Sequence, residues 1–286
     1  MQNKNNNRRF VTLCLSVLLL LSTTHATARS LSFGVYAADS PTTVVAQFRP
    51  VLNVIEKRLA ALLKEPVTIK MQIAPTYKAG VDDLVNDRVD FSRLGPASYI
   101  AAKQANAQLS ILAMESQKGQ KRFQGVICVA EQSPITTLSD LKGKRFAFGN
   151  PRSTIGRYLV QLHLMQAGIH ARDLGSYAYL GRHDTVVLAV ASGRYDAGAL
   201  KQSTFQRLVE QGSRLRVLAA FDNVTKPWVA SQGMESQLQR QLTEVLLAID
   251  DQTALQALKK DGFLPGKDED YQMIRTAIVN SSKFGT

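Results

Sequence analysis

The chain has 286 residues, 45% of them hydrophobic and 20% charged, and its 35 Lys+Arg against 23 Asp+Glu give a formal net charge of +12. That apolar content excludes a disordered chain, 18 Gly and 9 Pro exclude a fibrous one, and the length suits one large domain or two lobes of roughly 130 residues. Two cysteines exclude a disulfide scaffold or a multi-Cys metal centre, while the charge points to an anionic partner: nucleic acid, a membrane surface or a small oxyanion.

Residues 1–28 read as a secretory signal. Lys4, Arg8 and Arg9 form a basic region, residues 11–21 an apolar run, and Ala26-Thr27-Ala28 a small-residue cleavage site. The apolar run is too short to span a bilayer, which takes about 20 residues. Removing 28 of the 286 residues leaves 258, lowers the charge from +12 to +9, and leaves Cys128 as the one cysteine. Cys128 lies in an apolar run and reads as a small buried hydrophobe on a strand.

The mature chain alternates strands and helices. A strand over 31–36 enters a loop at 37–41. Apolar residues at steps of three and four predict a helix over 44–63, with Pro50 kinking it or shifting its start. A strand (67–73), helix (77–86), strand (89–94), helix (96–105) and strand (109–114) follow. The rhythm then repeats: strands over 123–130, 144–149, 176–180, 195–200 and 215–221, with a short helix at 139–143 and helices over 153–167, 184–191 and 202–211. From Met234 onward the pattern is helical. Two α/β lobes, each with a mostly parallel sheet flanked by helices, plus a helical tail, account for this order.

The sharpest local feature is Gly149-Asn150-Pro151-Arg152-Ser153-Thr154, where a strand turns into a helix. A helix start has unpaired N–H groups and a partial positive charge, and Ser153 and Thr154 add hydroxyls. It reads either as an anion site or as a plain N-cap on Ser153. Gly181-Arg182-His183-Asp184 also joins a strand to a helix. There Asp184 is a cap or faces a ligand cation, and His183 is a candidate base without a partner nucleophile motif. Arg93-Leu94-Gly95-Pro96 is a third strand end meeting a helix start, the kind of place where open α/β sheets bind ligands. The basic residues are scattered instead of forming a stripe, which argues against nucleic acid.

These stretches, in this order, resemble the periplasmic phosphate/phosphite/phosphonate-binding proteins of ABC transporters. The carriers are Phe33-Gly34-Val35, residues 89–96, 148–154 and 181–185, and the run 188–197. The resemblance implies the type II periplasmic-binding fold, with lobe 1 formed by 29–123 plus 222–286 and lobe 2 by 124–221. Hinge strands lie near Phe123-Gln124 and Phe221-Asp222, and the lobes close on the ligand like a clamshell. It implies that Ser153, Thr154 and the backbone of Ile155 hold the ligand oxygens, where the family has a Ser-Thr-Ser run. Tyr77 matches a ligand-contacting tyrosine, and a second such position falls at Leu94, which lacks the hydroxyl. Asp184 stands where an acidic residue pairs with a ligand amine, and Arg93, where an aromatic is common, is expected to help hold the anion. Tyr36, Asn150 and His183 complete the expected set.

The resemblance implies a small anionic ligand and an inner-membrane ABC permease as partners, a periplasmic monomer, no cofactor, no metal and no catalysis. A sensing module that delivers the same closed form to a membrane receptor or kinase is the alternative.

Overall fold

We describe a computed structural model of the chain, which places residues 28–36 and 41–285. The expected signal segment, apart from Ala28, and the loop at 37–41, apart from Pro41, lie outside the described residues.

The first half runs β1 (Arg29–Tyr36), α1 (Pro41–Leu63), β2 (Val67–Ala74), α2 (Tyr77–Val85), β3 (Phe91–Arg93), α3 (Pro96–Ala105) and β4 (Ser110–Ser116). Helix α1 runs on through Pro50, which forfeits one backbone bond. It is held instead by burying Val44, Phe48, Val51, Leu52, Ile55 and Leu59, each worth about 1.5–3 kcal/mol. The chain continues as β5 (Arg122–Ala130), β6 (Arg145–Phe148), α4 (Val160–Gln166), β7 (Ser176–Tyr179), α5 (His183–Ala191), β8 (Ala197–Lys201), α6 (Gln202–Glu210) and β9 (Leu215–Val224). The last part holds β10 (Pro227–Ala230), α7 (Ser236–Leu247), α8 (Gln252–Leu258), β11 (Gly262–Leu264) and α9 (Gln272–Ser281).

Two sheets result. One has the order β11-β4-β10-β3-β1-β2, the other β7-β6-β8-β5-β9. In the first, β1 to β4 share one direction, and β10 is inserted antiparallel between β3 and β4. In the second, β6, β7 and β8 are parallel, and β5 runs against its neighbours β8 and β9.

The wholly helical tail expected from the sequence is therefore corrected. It contributes β11, and the segment just before it contributes β10. Both strands are short, at three and four residues respectively, and each opens on a residue that reads as a breaker, Gly262 or Pro227. Strand β10 places Pro227 first, where no ladder donor is needed, and buries Trp228 completely against Phe33, ring centroids 4.9 Å apart.

The chain passes between the sheets along β5 and β9, which pair with Phe123 opposite Asn223, Gln124 opposite Asp222 and Gly125 opposite Phe221. Past β11, α9 and the residues flanking it lean on both sides. Tyr271 packs on Tyr99 of α3, Ser281 donates to the Gln161 Oε1 of α4 at 2.5 Å, and Phe284 meets the Phe148 ring edge-on. Cys128 is buried within β5, and burial pushes its thiol up to about 12.

Candidate ligand-binding site

Strand β6 ends at Phe148, and the next turn delivers the chain into a helical run that begins as a π-turn (Thr154–Leu159) and continues as α4. Two glycines allow this. A Cβ on Gly156 would lie 2.7 Å from the Gly149 Cα, and the Gly149 N–H donates to the Gly156 carbonyl at 2.8 Å. The helix start is thereby pinned to the strand end. Asn150 serves the turn, its Oδ1 accepting from the Arg152 N–H at 2.8 Å. Ser153 Oγ accepts from the Gly156 N–H at 3.0 Å, the geometry of an N-cap. Thr154 Oγ1 accepts from the Ala97 N–H of α3 at 2.9 Å. The first-turn N–H groups of Thr154 and Ile155 precede the intrahelical bonds and stay available as donors.

The facing wall is built on the first sheet. The Gly95 N–H, at the start of α3, donates to Tyr36 Oη at 2.6 Å, and Tyr36 Oη also shares a bond with Ser98 Oγ at 3.1 Å. Tyr36 stacks on Tyr77 with ring centroids 4.2 Å apart. Tyr77 opens α2, whose N-cap Thr76 accepts from the Ala79 N–H at 3.0 Å. Burial pushes the Tyr36 phenol above its ordinary value, so it stays protonated.

Between these walls lies a small cavity of about 40 Å³, lined by Tyr36, Tyr77, Gly95, Pro96, Phe123, Ser153, Thr154, Ile155, His183, Lys201, Asn223 and Lys226. Its electrostatics are one-sided, since the lining holds two lysines and no carboxylate. Beneath it, the buried Glu115 takes a forked pair from Arg93 (2.6 and 3.2 Å), with Lys260 Nζ at 3.7 Å. Burial pushes the Glu115 carboxyl up, but the Arg93 and Lys260 charges prevail and hold it down at about 2. The Phe123 ring carries Lys201 Nζ at 5.8 Å and Lys260 Nζ at 5.4 Å from its centroid. Burial, with the Arg93 and Lys201 charges, pushes the Lys226 ammonium well below the ordinary lysine value. Burial, with the Lys226 and Lys201 charges, pushes His183 down to about 3, so its imidazole is neutral at pH 7. The His183 Nδ1 and Asn223 Oδ1 atoms are buried without a hydrogen-bond partner. Such a cavity is chemically suited to an oxyanion: hydroxyl and N–H donors on one side, ammonium groups on the other.

A family model described as "ABC transporter, phosphonate, periplasmic substrate-binding protein" matches residues 33–271. The chain belongs to this family. It is 27% identical over 215 residues to a probable ABC transporter phosphite binding protein of Prochlorococcus marinus (strain MIT 9301), across 69% of this chain and 72% of that one. It is 30% identical over 202 residues to the phosphonates-binding periplasmic protein of Escherichia coli (strain K12), across 68% of this chain and 57% of that one. The match thus spans little more than half of the second relative. Among solved structures, the Prochlorococcus marinus (MIT 9301) protein in complex with methylphosphonate is 24% identical with a TM-score of 0.75, over 89% of this chain and 99% of that one. A binding protein component of an ABC phosphonate transporter from Pseudomonas aeruginosa is 19% identical with a TM-score of 0.76, over 90% and 87%. The fold is the two-lobed type II periplasmic-binding arrangement. No helix among the described residues is long and apolar enough to cross a membrane.

Of the residues expected at the family's site, Tyr36, Tyr77, Ser153, Thr154, Ile155 and His183 come together around the cavity. Asn150 stays in the turn behind it. Arg93, the expected anion helper, does not line the cavity, and its Nε and Nη2 are engaged by Glu115. Asp184 sits outside the small cavity, in a wider space of about 590 Å³, and takes a forked pair from Arg182 at 3.0 and 2.6 Å. Sequence reasoning missed Lys201, Asn223 and Lys226. Lys201 ends β8 and Asn223 is the penultimate residue of β9, with Lys226 two residues past that strand. Reading each strand for the residue at its carboxyl end would have flagged the first two.

Proposed function

We propose that this protein is the solute-binding component of an ABC importer and holds a small oxyanion of the phosphonate, phosphite or phosphate class between its lobes. The carrying observation is the cavity itself: hydroxyls and a helix start on one side, lysines on the other, and no carboxylate in the lining. Membership of the family supports the transport role, and the relatives' names, phosphite binding for one and phosphonates binding for the other, support the ligand class. On this reading Ser153, Thr154 and the Ile155 backbone hold the oxygens, and Tyr77 closes over them. The chain is exported to the periplasm through a cleaved signal at 1–28, acts as a monomer without a cofactor, and binds its solute without converting it. Residues 29–123 and 222–286 form one lobe and 124–221 the other. The paired segments at Phe123-Gln124 and Phe221-Asp222 are the hinge, and the closed form docks on a membrane permease.

Calorimetry of the refolded, ligand-free protein tests this against phosphate, phosphite, methylphosphonate, an alkylsulfonate and a carboxylate. Heat from the phosphorus oxyanions is the expected result. No heat from any anion, with heat from a neutral or cationic solute, overturns it.

A further inference from the structure

Resting on that two-lobe reading, we propose that α9 and the residues flanking it are a latch. They are rooted on the first lobe, dock on the second when the lobes close, and let go when they open.

The root lies just before α9. Tyr271 is wholly buried, packs on the Tyr99 ring of α3 at 4.8 Å and donates its Oη to the Thr225 carbonyl at 3.1 Å. Tyr99 Oη donates to Asp268 Oδ1 at 2.6 Å, and Arg275 Nη2 donates to both Asp268 oxygens, at 2.7 and 2.6 Å. Ring packing, phenol bonds and an ion pair thus fasten this end, and β11, just upstream in the chain, lies in the first sheet.

The far end reaches across. Ser281 Oγ donates to Gln161 Oε1 at 2.5 Å, and Gln161 Nε2 donates to Tyr179 Oη at 2.8 Å. Phe284, in the turn Ser282–Gly285, is buried with its ring 5.6 Å from that of Phe148 and 6.3 Å from that of Tyr177. Phe148, Gln161, Tyr177 and Tyr179 all fall in the second lobe. Between the two ends, Ile274 and Ala277 are wholly buried, and α9 packs on α3, on α4 and on the Thr154–Leu159 turn. A helix rooted in one lobe therefore braces the oxyanion-holding helix start of the other.

Strands β5 and β9 join the lobes through the chain. At its far end α9 spans the same gap through side chains alone. When the lobes swing apart, one end of α9 must yield, and the far end is the weaker. Opening then exposes the Phe284 ring and takes the Ser281 hydroxyl from the Gln161 amide, and both changes are unfavourable. Part of the stability of the closed form is thus carried by residues that do not line the ligand cavity.

Phe284→Ala and Ser281→Ala test this on the whole mature protein, stripped of ligand. Losing the buried ring is expected to lower the closed-to-open ratio about tenfold or more, and losing the hydrogen bond about fivefold. Where the free protein is mostly open, the shift shows in calorimetry as an equal loss of affinity for methylphosphonate. Where it is mostly closed, small-angle scattering shows a larger ligand-free radius of gyration. Both readouts compare two folded states, so a general loss of stability does not mimic them. Ser281→Ala carries the test if Phe284→Ala fails to fold. Wild-type affinity together with a wild-type radius overturns the latch and leaves the oxyanion reading standing. If methylphosphonate binds neither wild type nor variant, the oxyanion reading fails. A larger radius in the variant then keeps the latch, and an unchanged radius ends both.

Discussion

Thr154 Oγ1 accepts a hydrogen bond from the Ala97 N–H at 2.9 Å, joining the helix start of one lobe to the helix start of the other. Its neighbour Ser153 spends its own oxygen within its helix, on the Gly156 N–H. The two adjacent hydroxyls therefore do different work. Ser153 caps, and Thr154 bridges. Because Ala97 occupies an acceptor site on the Thr154 oxygen, the Thr154 O–H hydrogen remains free to donate to an oxyanion in the cavity. The bond from α3 thus orients the donor that the ligand needs.

Thr154→Val keeps the shape and removes both roles. The lost bridge, at about 1 kcal/mol net, shifts the closed-to-open ratio of the ligand-free protein about fivefold toward open. Small-angle scattering should report a larger radius of gyration without ligand, and calorimetry an affinity for methylphosphonate lower by about tenfold. An unchanged radius together with an unchanged affinity would remove Thr154 from both roles. Ser153→Ala is expected to lower stability by about 0.5–2 kcal/mol, the cost of a lost cap, and also to weaken methylphosphonate binding, because the Ser153 O–H donates into the cavity as well.

Gly156→Ala tests the pinning of the helix start. The added Cβ would sit 2.7 Å from the Gly149 Cα, a contact between two backbones that no side-chain rotation relieves. The π-turn must move away from β6, carrying the Thr154 and Ile155 N–H groups with it. We expect a fall in stability of about 1–3 kcal/mol, typical of overpacking, and an affinity loss exceeding that of Ser153→Ala. Urea unfolding and calorimetry on the same sample check both. Wild-type values would mean that the turn tolerates the shift.

Arg93 and Glu115 are a buried pair with Lys260 3.7 Å away, so Glu115 keeps one cation when Arg93 is removed. Arg93→Met alone is expected to cost less than the about 3–5 kcal/mol of a fully stranded buried charge, and adding Glu115→Leu is expected to lower stability further, because it leaves Lys260 without its carboxylate. The double variant should still bind methylphosphonate, because neither residue lines the cavity. Thermal unfolding and calorimetry separate the outcomes. A folded double variant that has lost all binding would return Arg93 to the site.

How far the site was legible follows from where its parts lie in the chain. The helix start was readable because the strand end, the Gly149–Pro151 turn and the Ser153 cap fall within a few residues of one another. Tyr77 was readable from the resemblance. The Arg93 ion pair was not legible because its partner Glu115 lies 22 residues further on, on another strand, and nothing local announces the pairing. Lys201 and Lys226 read as ordinary surface charge. They meet at the cavity because β5 and β9 run paired between the sheets and β10 then inserts beside β3. Strands as short as Phe91–Arg93 and Arg145–Phe148 were legible within the longer stretches 89–94 and 144–149, whereas Pro227–Ala230 and Gly262–Leu264 each open on a residue that reads as a breaker.

Acid should unfold this protein earlier than its composition implies, and His183 is the reason. In the unfolded chain His183 takes up a proton near its ordinary value of 6.5, but in the folded protein burial beside Lys226 and Lys201 delays this to about 3. Between those values the unfolded chain holds the extra proton, so lowering the pH favours unfolding. His163, half-buried beside Phe221, shifts in the same direction, again through burial. Glu115 adds to the loss only at lower pH, because its carboxyl takes up a proton near 4.5 when unfolded and about 2 when folded. Lys226, whose ammonium burial also disfavours, acts in the same direction, and His183 alone should account for about 2 kcal/mol of lost stability between pH 7 and pH 5. Urea unfolding at pH 7 and pH 5 measures this, and His183→Asn should flatten the difference by that amount whatever it does to stability at pH 7. An equal pH dependence in the variant and the wild type would mean that His183 becomes protonated in the folded protein as readily as in the unfolded chain.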